Sequence, residues 1–271
     1  MRILFCGDVV GRSGRAAIEK HLPALKEKLK LDFIIVNGEN AASGFGVTRS
    51  ICEDFVKNGA DVITGGDHIW DQKETYSFIS DYPKLLRPHN FPEGTPGAGA
   101  RVFTAKNGKK ILVLHLLGQL FMKYTLKSPF EVAEEVLEKY KLGENIDAII
   151  IDIHAEATSE KVAIGHFLDG KISLVCGSHT HIPTADHQIL ENGTGYMTDA
   201  GMCGDYDSVI GFNKKASTKR FLSKVSLERL TTANNEGTLS GVFVELSENG
   251  LAKKIAPVRI GGKLEESLPV L

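Results

Sequence analysis

Five apolar runs in this chain each end on side chains able to bind a cation. Ile3-Leu4-Phe5-Cys6 leads into Gly7-Asp8, and Phe33-Ile34-Ile35-Val36 into Asn37-Gly38-Glu39-Asn40. Asp61-Val62-Ile63-Thr64 leads into Gly65-Gly66-Asp67-His68. Further on, Ile149-Ile150-Ile151 runs to His154, and Leu174-Val175-Cys176-Gly177-Ser178 runs to His179-Thr180-His181. In α/β proteins, sites form where the carboxyl ends of strands meet. Strand ends carrying carboxylates, carboxamides and imidazoles therefore point to one polar floor built for cations.

The ligand types narrow the ion. Asp8, Glu39 and Asp67 offer oxygen, Asn40 a neutral carbonyl oxygen, and His154, His179 and His181 nitrogen. A mixed oxygen and imidazole set without thiolate suits zinc, manganese or iron. Seven candidates exceed the needs of one tetrahedral zinc and suit two ions sharing a carboxylate. On an extended segment, residues 179 and 181 would face the same side, so both imidazoles could reach the floor, each toward a different ion. Gly177 would let the backbone pass close to the site.

The elements that must position these groups alternate strand and helix in the first half, the mark of a parallel α/β layer. Ala16 to Leu29 has helical spacing with Ser13 as its expected N-cap. Thr48 is expected to cap a second helix ended by Gly59, and a third follows Asp71 and stops before Pro83. Arg87 to Gly99, rich in Pro and Gly, reads as a loop; its Gly97-x-Gly99 precedes a strand, which weakens any dinucleotide-binding reading. Arg101 to Ala105 and Lys110 to Leu114 flank Asn107-Gly108 as a hairpin. Ser128-Pro129-Phe130-Glu131 has the form of a capping box opening a helix to about Lys141. Ala148 to Ile153, Ile172 to Cys176, His187 to Leu190 and Gly195 to Thr198 read as strands, the last two joined around Asn192-Gly193. Thr238 to Leu246 and Ala252 to Ile260 read as an antiparallel pair. That order fits an α/β fold in which two sheets pack face to face with helices outside. With no repeat or linker in view, residues 1–271 read as a single domain.

Composition sets outer bounds. The 271 residues are 42% hydrophobic, and 32 basic against 34 acidic residues give a formal net charge of -2. A chain of this length can bury a substantial core without disulfides. The charge balance argues against general DNA binding or attraction to anionic membranes. Cys6, Cys52, Cys176 and Cys203 form no Cys-x-x-Cys pair, which speaks against a zinc ribbon or redox motif. No apolar stretch is long enough to span a bilayer, and the first residues lack the apolar core of a signal peptide, so a cytoplasmic location is expected.

These residues resemble the calcineurin-like metallophosphoesterase superfamily: Gly7-Asp8, Gly38-Glu39-Asn40, Gly66-Asp67-His68, His154, and Gly177-x-His179-x-His181. Val36 to Ala42, His154 to Lys161 and Thr198 to Met202 resemble its bacterial YmdB-like branch, and the likeness runs from Asp8 to about Gly211. The resemblance implies a four-layer α-β-β-α sandwich with two mixed sheets and the metal site at the carboxyl ends of the strands. It implies Asp8, Glu39, Asn40 and His181 around a first ion, and Glu39, Asp67, His154 and His179 around a second, with Glu39 bridging. Iron or manganese is favoured and zinc is a further option. His68 would stand beside the ions as general acid, a role worth about 10²–10⁴-fold. Cations about 3.5–4 Å apart would bind phosphate oxygens and lower the pKa of a shared water that attacks phosphorus. The implied activity is hydrolysis of cyclic or small nucleotide phosphodiesters, 2′,3′-cyclic nucleotides above all, by a homo-oligomer. The alternatives are a phosphomonoesterase or nuclease of the same fold, or a regulatory nucleotide-binding protein with weak catalysis.

Two positions depart from the superfamily pattern. Val10 stands where a His is usual, a feature of the YmdB-like branch, and Asn40 would fill that gap. Asp67 stands where the family has Asn, which should lower the electrophilicity of the second ion while sparing binding. Other groups stay open at this level. Arg12 and Arg15 could bind phosphate or form a solvated helix end. Asp199 could orient a ligand His or cap the following turn. Lys161 reads as a helix-face charge, and His115 as a strand end near the floor without a ligand role. His21, His89, His166 and His187 read as surface or capping residues, and Ile69 and Trp70 as packing behind His68. Leu117 to Lys127, with Phe121, Met122 and Tyr124, could be a substrate lid, a subunit contact or core.

Overall fold

The computed structural model describes residues 1–223 and 229–270. Two six-stranded mixed sheets organise it. The first contains β1 (Arg2–Cys6), β3 (Phe33–Asn37), β4 (Val62–Thr64), β5 (Leu85–Leu86), β13 (Leu239–Leu246) and β14 (Ala252–Ile260). Its order is β14-β13-β1-β3-β4-β5, parallel from β1 to β5 and antiparallel at the β13 and β14 edge. The second contains β6 (Ala100–Thr104), β7 (Lys110–Leu117), β8 (Ala148–His154), β9 (Leu174–Ser178), β10 (Gln188–Ile189) and β11 (Gly195–Met197), in the order β10-β11-β9-β8-β7-β6. Among the described residues, a short parallel pair, β2 (Asp8–Val9) with β12 (Met202–Cys203), completes the strands.

Strand alternation explains how the two sheets share a core. Successive side chains of a strand point to opposite faces. Ile3, Phe5, Phe33, Ile35 and Val62 of the first sheet pack in one cluster with Ile111, Val113, Ala148, Ile150, Leu174 and Cys176 of the second. The opposite face of the first sheet, with Leu4, Cys6, Ile34 and Val36, packs on α1 (Gly11–Lys28) and α2 (Arg49–Lys57). The opposite face of the second, with Leu112, Leu114, Ile149 and Ile151, packs on α4 (Pro129–Lys139) and α5 (Thr158–Phe167). The helices α3 (Lys73–Phe78) and α6 (Lys214–Leu222) are shorter. Among the described residues, no helix is long and apolar enough to cross a membrane.

Several local expectations change. Ser13 is not an N-cap: α1 begins at Gly11, and the Ser13 hydroxyl donates to the Asn235 carbonyl from inside the helix. Thr48 does cap α2, accepting from the Ile51 amide. The expected capping box at Ser128 is open, because its side chain makes no cap hydrogen bond and Pro129 alone starts α4. The strand expected over Ile172 to Cys176 is shifted to Leu174–Ser178. The hairpin around Asn107-Gly108 and the antiparallel β13 and β14 pair form as the sequence indicates.

Candidate metal centre

The stripe that faces the gap between the sheets changes character along each strand. Ile3 and Phe5, Phe33 and Ile35, Ala148 and Ile150, Leu174 and Cys176 are apolar. Continued at the same period of two, four of the stripes become Asn37, Thr64, Asp152 with His154, and Ser178, at the carboxyl ends of β3, β4, β8 and β9. His115 occupies the same stripe of β7. The site therefore sits at the top of the intersheet core, where the apolar filling stops.

Two groups of ligand atoms converge there. One ligand atom from each of Glu39, Asp67, His154 and His179 lies within 4.8 Å of the others, and the same holds for Asp8, Glu39 and His181. Glu39 belongs to both groups. His154 Nε2 is 2.8 Å from Glu39 Oε1 and 3.3 Å from Asp67 Oδ1. His179 Nδ1 is 3.1 Å from His154 Nε2 and 3.6 Å from Asp67 Oδ1. His181 Nε2 is 3.1 Å from Asn40 Oδ1. All seven residues named as candidate ligands are brought together.

His179 and His181 reach the floor differently from expectation. Strand β9 ends at Ser178, and both histidines have positive φ, 96° and 67°. A left-handed backbone at a bulky residue is strained, so two successive sharp turns aim the imidazoles, in place of strand alternation. Bonds hold the turns in place. The His179 amide donates to Asp8 Oδ2, and the Thr180 amide and hydroxyl both donate to Asp199 Oδ2. Glycine is required close by: a Cβ at Gly66, whose φ is 55°, would lie 2.5 Å from the Glu39 carboxylate. At Gly177 it would lie 1.8 Å from the Thr198 carbonyl oxygen.

The donor set fits cations. The ligand atoms are oxygen and nitrogen only, and Asp8 Oδ1 is buried without a hydrogen-bond partner. A polar oxygen buried without a hydrogen bond is costly, and a cation would satisfy it. The titration behaviour follows the crowding. Burial raises the Glu39 carboxyl well above its usual range, opposed by His154 and reinforced by Asp67. Burial disfavours the His154 cation, but Glu39, Asp67 and Asp8 outweigh it and hold His154 well above the usual imidazole value. Asp67 is driven far below the carboxylate range, because hydrogen bonds from His154 and His179 outweigh its burial.

A second layer holds the candidate ligands. The buried Asp152 carboxylate accepts from Ser178 Oγ at 2.6 Å, Thr64 Oγ1 at 2.6 Å and Asn37 Nδ2 at 3.1 Å. Ser178 Oγ, its own proton committed to Asp152, lies 2.8 Å from His154 Nδ1. That relay makes His154 Nδ1 a donor to Ser178 and turns Nε2 toward the floor, facing Glu39 and Asp67. His115 is fully buried, and burial pushes its imidazole below the usual value. Its Nε2 accepts from the Gly66 amide at 2.8 Å, a positioning role at the turn before Asp67. The signal for Asp152 was present as a carboxylate two residues before His154, on the same face of an apolar strand.

Lys161 is not a helix-face charge. It is 1% exposed, and its Nζ lies 2.8 Å from Asp199 Oδ2. Asp199 also accepts from the Gly201 amide, so it both braces the His179 to His181 turn and caps its own. His68 is half-buried at the rim, with Nδ1 2.7 Å from Asp71 Oδ2, and Lys123 is 3.8 Å from the other Asp71 oxygen. Ile69 is buried in the core, and Trp70 packs edge-on against Phe91 and Tyr76. Arg15 donates to the Ala41 carbonyl and Arg12 is exposed. Phe121, 87% exposed, is not core.

A family model described as YmdB-like protein matches residues 4–258. The chain belongs to this family. A relative from Bacillus subtilis strain 168, named 2′,3′-cyclic-nucleotide 2′-phosphodiesterase, is 47% identical over 92% of this chain and 92% of its own. The crystal structure of a hypothetical protein from Thermus thermophilus superposes with a TM-score of 0.90 at 36% identity, covering 97% of this chain and 100% of that one. A structure of a novel phosphatase from Mycoplasma pneumoniae gives 0.88 at 35% identity, over 96% and 93% of the two chains. The YmdB-like assignment agrees with the resemblance carried by the metal-binding motifs.

Proposed function

We propose that this YmdB-like chain is a metal-dependent phosphodiesterase acting on small cyclic nucleotides, with 2′,3′-cyclic nucleotides favoured. It is a hydrolase of phosphoric ester bonds, in keeping with the names of its relatives. The observation that carries the reading is the shared Glu39 between two converging ligand groups. In this reading, Glu39, Asp67, His154 and His179 would hold one ion, and Asp8, Glu39, Asn40 and His181 the other. Bound there, the ions would supply Lewis-acid charge to the phosphoryl oxygens and to an attacking water. The sheets, with helices on their outer faces, form one domain in the order α-β-β-α.

The remaining steps fall to the chain's own residues. Asp71 takes the Nδ1 side of His68, which leaves Nε2 to deliver a proton to the leaving oxygen. Asp152, through Ser178, keeps His154 in the tautomer whose Nε2 faces the floor. His115 and the Asp199–Lys161 pair hold the two turns that carry Asp67 and His179.

Charge favours a diester over a monoester. The pocket over the site is lined by Glu39, Asn40, Phe45, His68, Glu156, His179, Thr180, His181, Ile210 and Phe212, without a lysine or arginine among the described residues. Asp8, Glu39, Asp67 and Glu156 would balance two divalent ions, so a substrate monoanion leaves less uncompensated charge than a dianion. The test compares 2′,3′-cyclic AMP with adenosine 3′-phosphate as substrates of manganese-loaded protein. Cleavage of the cyclic diester is expected to be far faster; preferential release of phosphate from the monoester would refute the assignment.

A further inference from the structure

The pocket over the site, about 320 Å³ in volume, has a wall that the metal chemistry does not use. Phe45 packs with its ring 5.5 Å from that of Phe212 and 5.1 Å from His68, edge-on to the latter. Ile210 stands beside them and is 46% exposed.

Ile210 is the informative member. Residues 209–212 form a tight turn, with Val209 and Phe212 exchanging backbone hydrogen bonds. Its two central residues, Ile210 and Gly211, have φ of 46° and 95°. Turns with positive φ at both central residues favour Asn-Gly or Gly-Gly, and a β-branched side chain there is strained. The turn has a purpose, since the Ile210 carbonyl accepts from His181 Nδ1 at 2.8 Å. Any residue would supply that carbonyl, and glycine would do so without strain. The isoleucine side chain therefore carries both a backbone cost and an exposed apolar surface. Neither helps folding, and both are explained by a ligand that covers the side chain.

We propose that Phe45, Ile210 and Phe212 form a nucleobase-binding wall, which selects nucleoside cyclic phosphates over cyclic phosphodiesters without a base. The inference rests on the phosphodiesterase reading and names the part of the substrate that fills the rest of the pocket. Its placement follows from His68. If His68 protonates the leaving ribose oxygen, the nucleoside emerges on the His68 side, against the Phe45 ring. An apolar wall suits the flat face of a base, since stacking on aromatic side chains is tolerant of base identity. Purine and pyrimidine cyclic phosphates would then both be accepted.

The test compares 2′,3′-cyclic AMP with glycerol 1,2-cyclic phosphate, which carries the same kind of reacting ring and no base. The ratio of their kcat/KM values is the readout, so any loss through His181 cancels. The wild type is expected to favour the nucleotide by about tenfold or more, the scale of stacking one base. Ile210→Gly should remove most of that preference, chiefly through KM, and Ile210→Leu should retain it. Calorimetric binding of adenosine 3′-phosphate against glycerol 2-phosphate should show the same preference and the same loss. A wild-type ratio near one, or a ratio unchanged in Ile210→Gly, overturns the wall. If neither cyclic ester is cleaved but the binding preference and its loss persist, the phosphodiesterase reading fails and the wall stands.

Discussion

Replacing Ser178 by alanine tests whether the buried relay governs the metal centre. Ser178 Oγ links His154 Nδ1 at 2.8 Å to Asp152 Oδ1 at 2.6 Å, and all three side chains are fully buried. Alanine would leave an imidazole N–H and a carboxylate oxygen without their partner, in a place water does not reach. Each unpaired buried group costs about 1–3 kcal/mol, so a loss of about 2–6 kcal/mol is expected. For a chain of this size, at about 2–4 °C per kcal/mol, that corresponds to a fall in Tm of roughly 4–24 °C. His154 would also lose the bond that fixes its tautomer, and disturbing such a partner typically weakens metal affinity about 10–100-fold. Protein stripped of metal and titrated with manganese in a calorimeter gives the affinity, and thermal unfolding of the same metal-free preparation gives the Tm. A variant whose manganese affinity stays within about twofold and whose Tm falls by less than about 2 °C would refute the relay, because both effects follow from the loss of one hydroxyl.

Other outcomes follow from the same geometry. His68→Ala should keep its metal content and lose turnover by about 10²–10⁴-fold, whereas Glu39→Gln should lose metal and turnover together; elemental analysis beside a 2′,3′-cyclic AMP assay separates them. Asp67→Asn removes one negative charge while keeping an oxygen ligand, so faster turnover or an altered preference between manganese and iron is expected. Identical metal content and identical rates would count against a role for that charge. Lys161→Met leaves the buried Asp199 carboxylate without its cation and should destabilise by about 3–5 kcal/mol in urea unfolding. The double variant with Asp199→Asn should recover part of that loss.

The sequence by itself named the candidate ligands. Apolar runs ending on Asp8, Glu39, Asp67, His154 and the His179–His181 pair stand out because a buried strand leaves no solvation for such groups, and their chemical types define a cation site wherever they meet. It also determined most of the elements, from Thr48 capping α2 to the antiparallel β13 and β14 pair. What the tertiary structure decided is everything that depends on groups distant in the chain. Lys161 reads as a surface charge until α5 packs it against Asp199. The strand alternation expected for His179 and His181 gave way to left-handed turns, because bonds donated to Asp8 and Asp199 over-determine that backbone. Asp152 gathers Asn37, Thr64, Ser178 and His115 from four other strands, and Ile210 acquires its place only through a turn that delivers its carbonyl to His181. A ligand is legible from its own chemistry, whereas a residue that orients a ligand is defined by its neighbours, and those neighbours are fixed only when the two sheets close on each other.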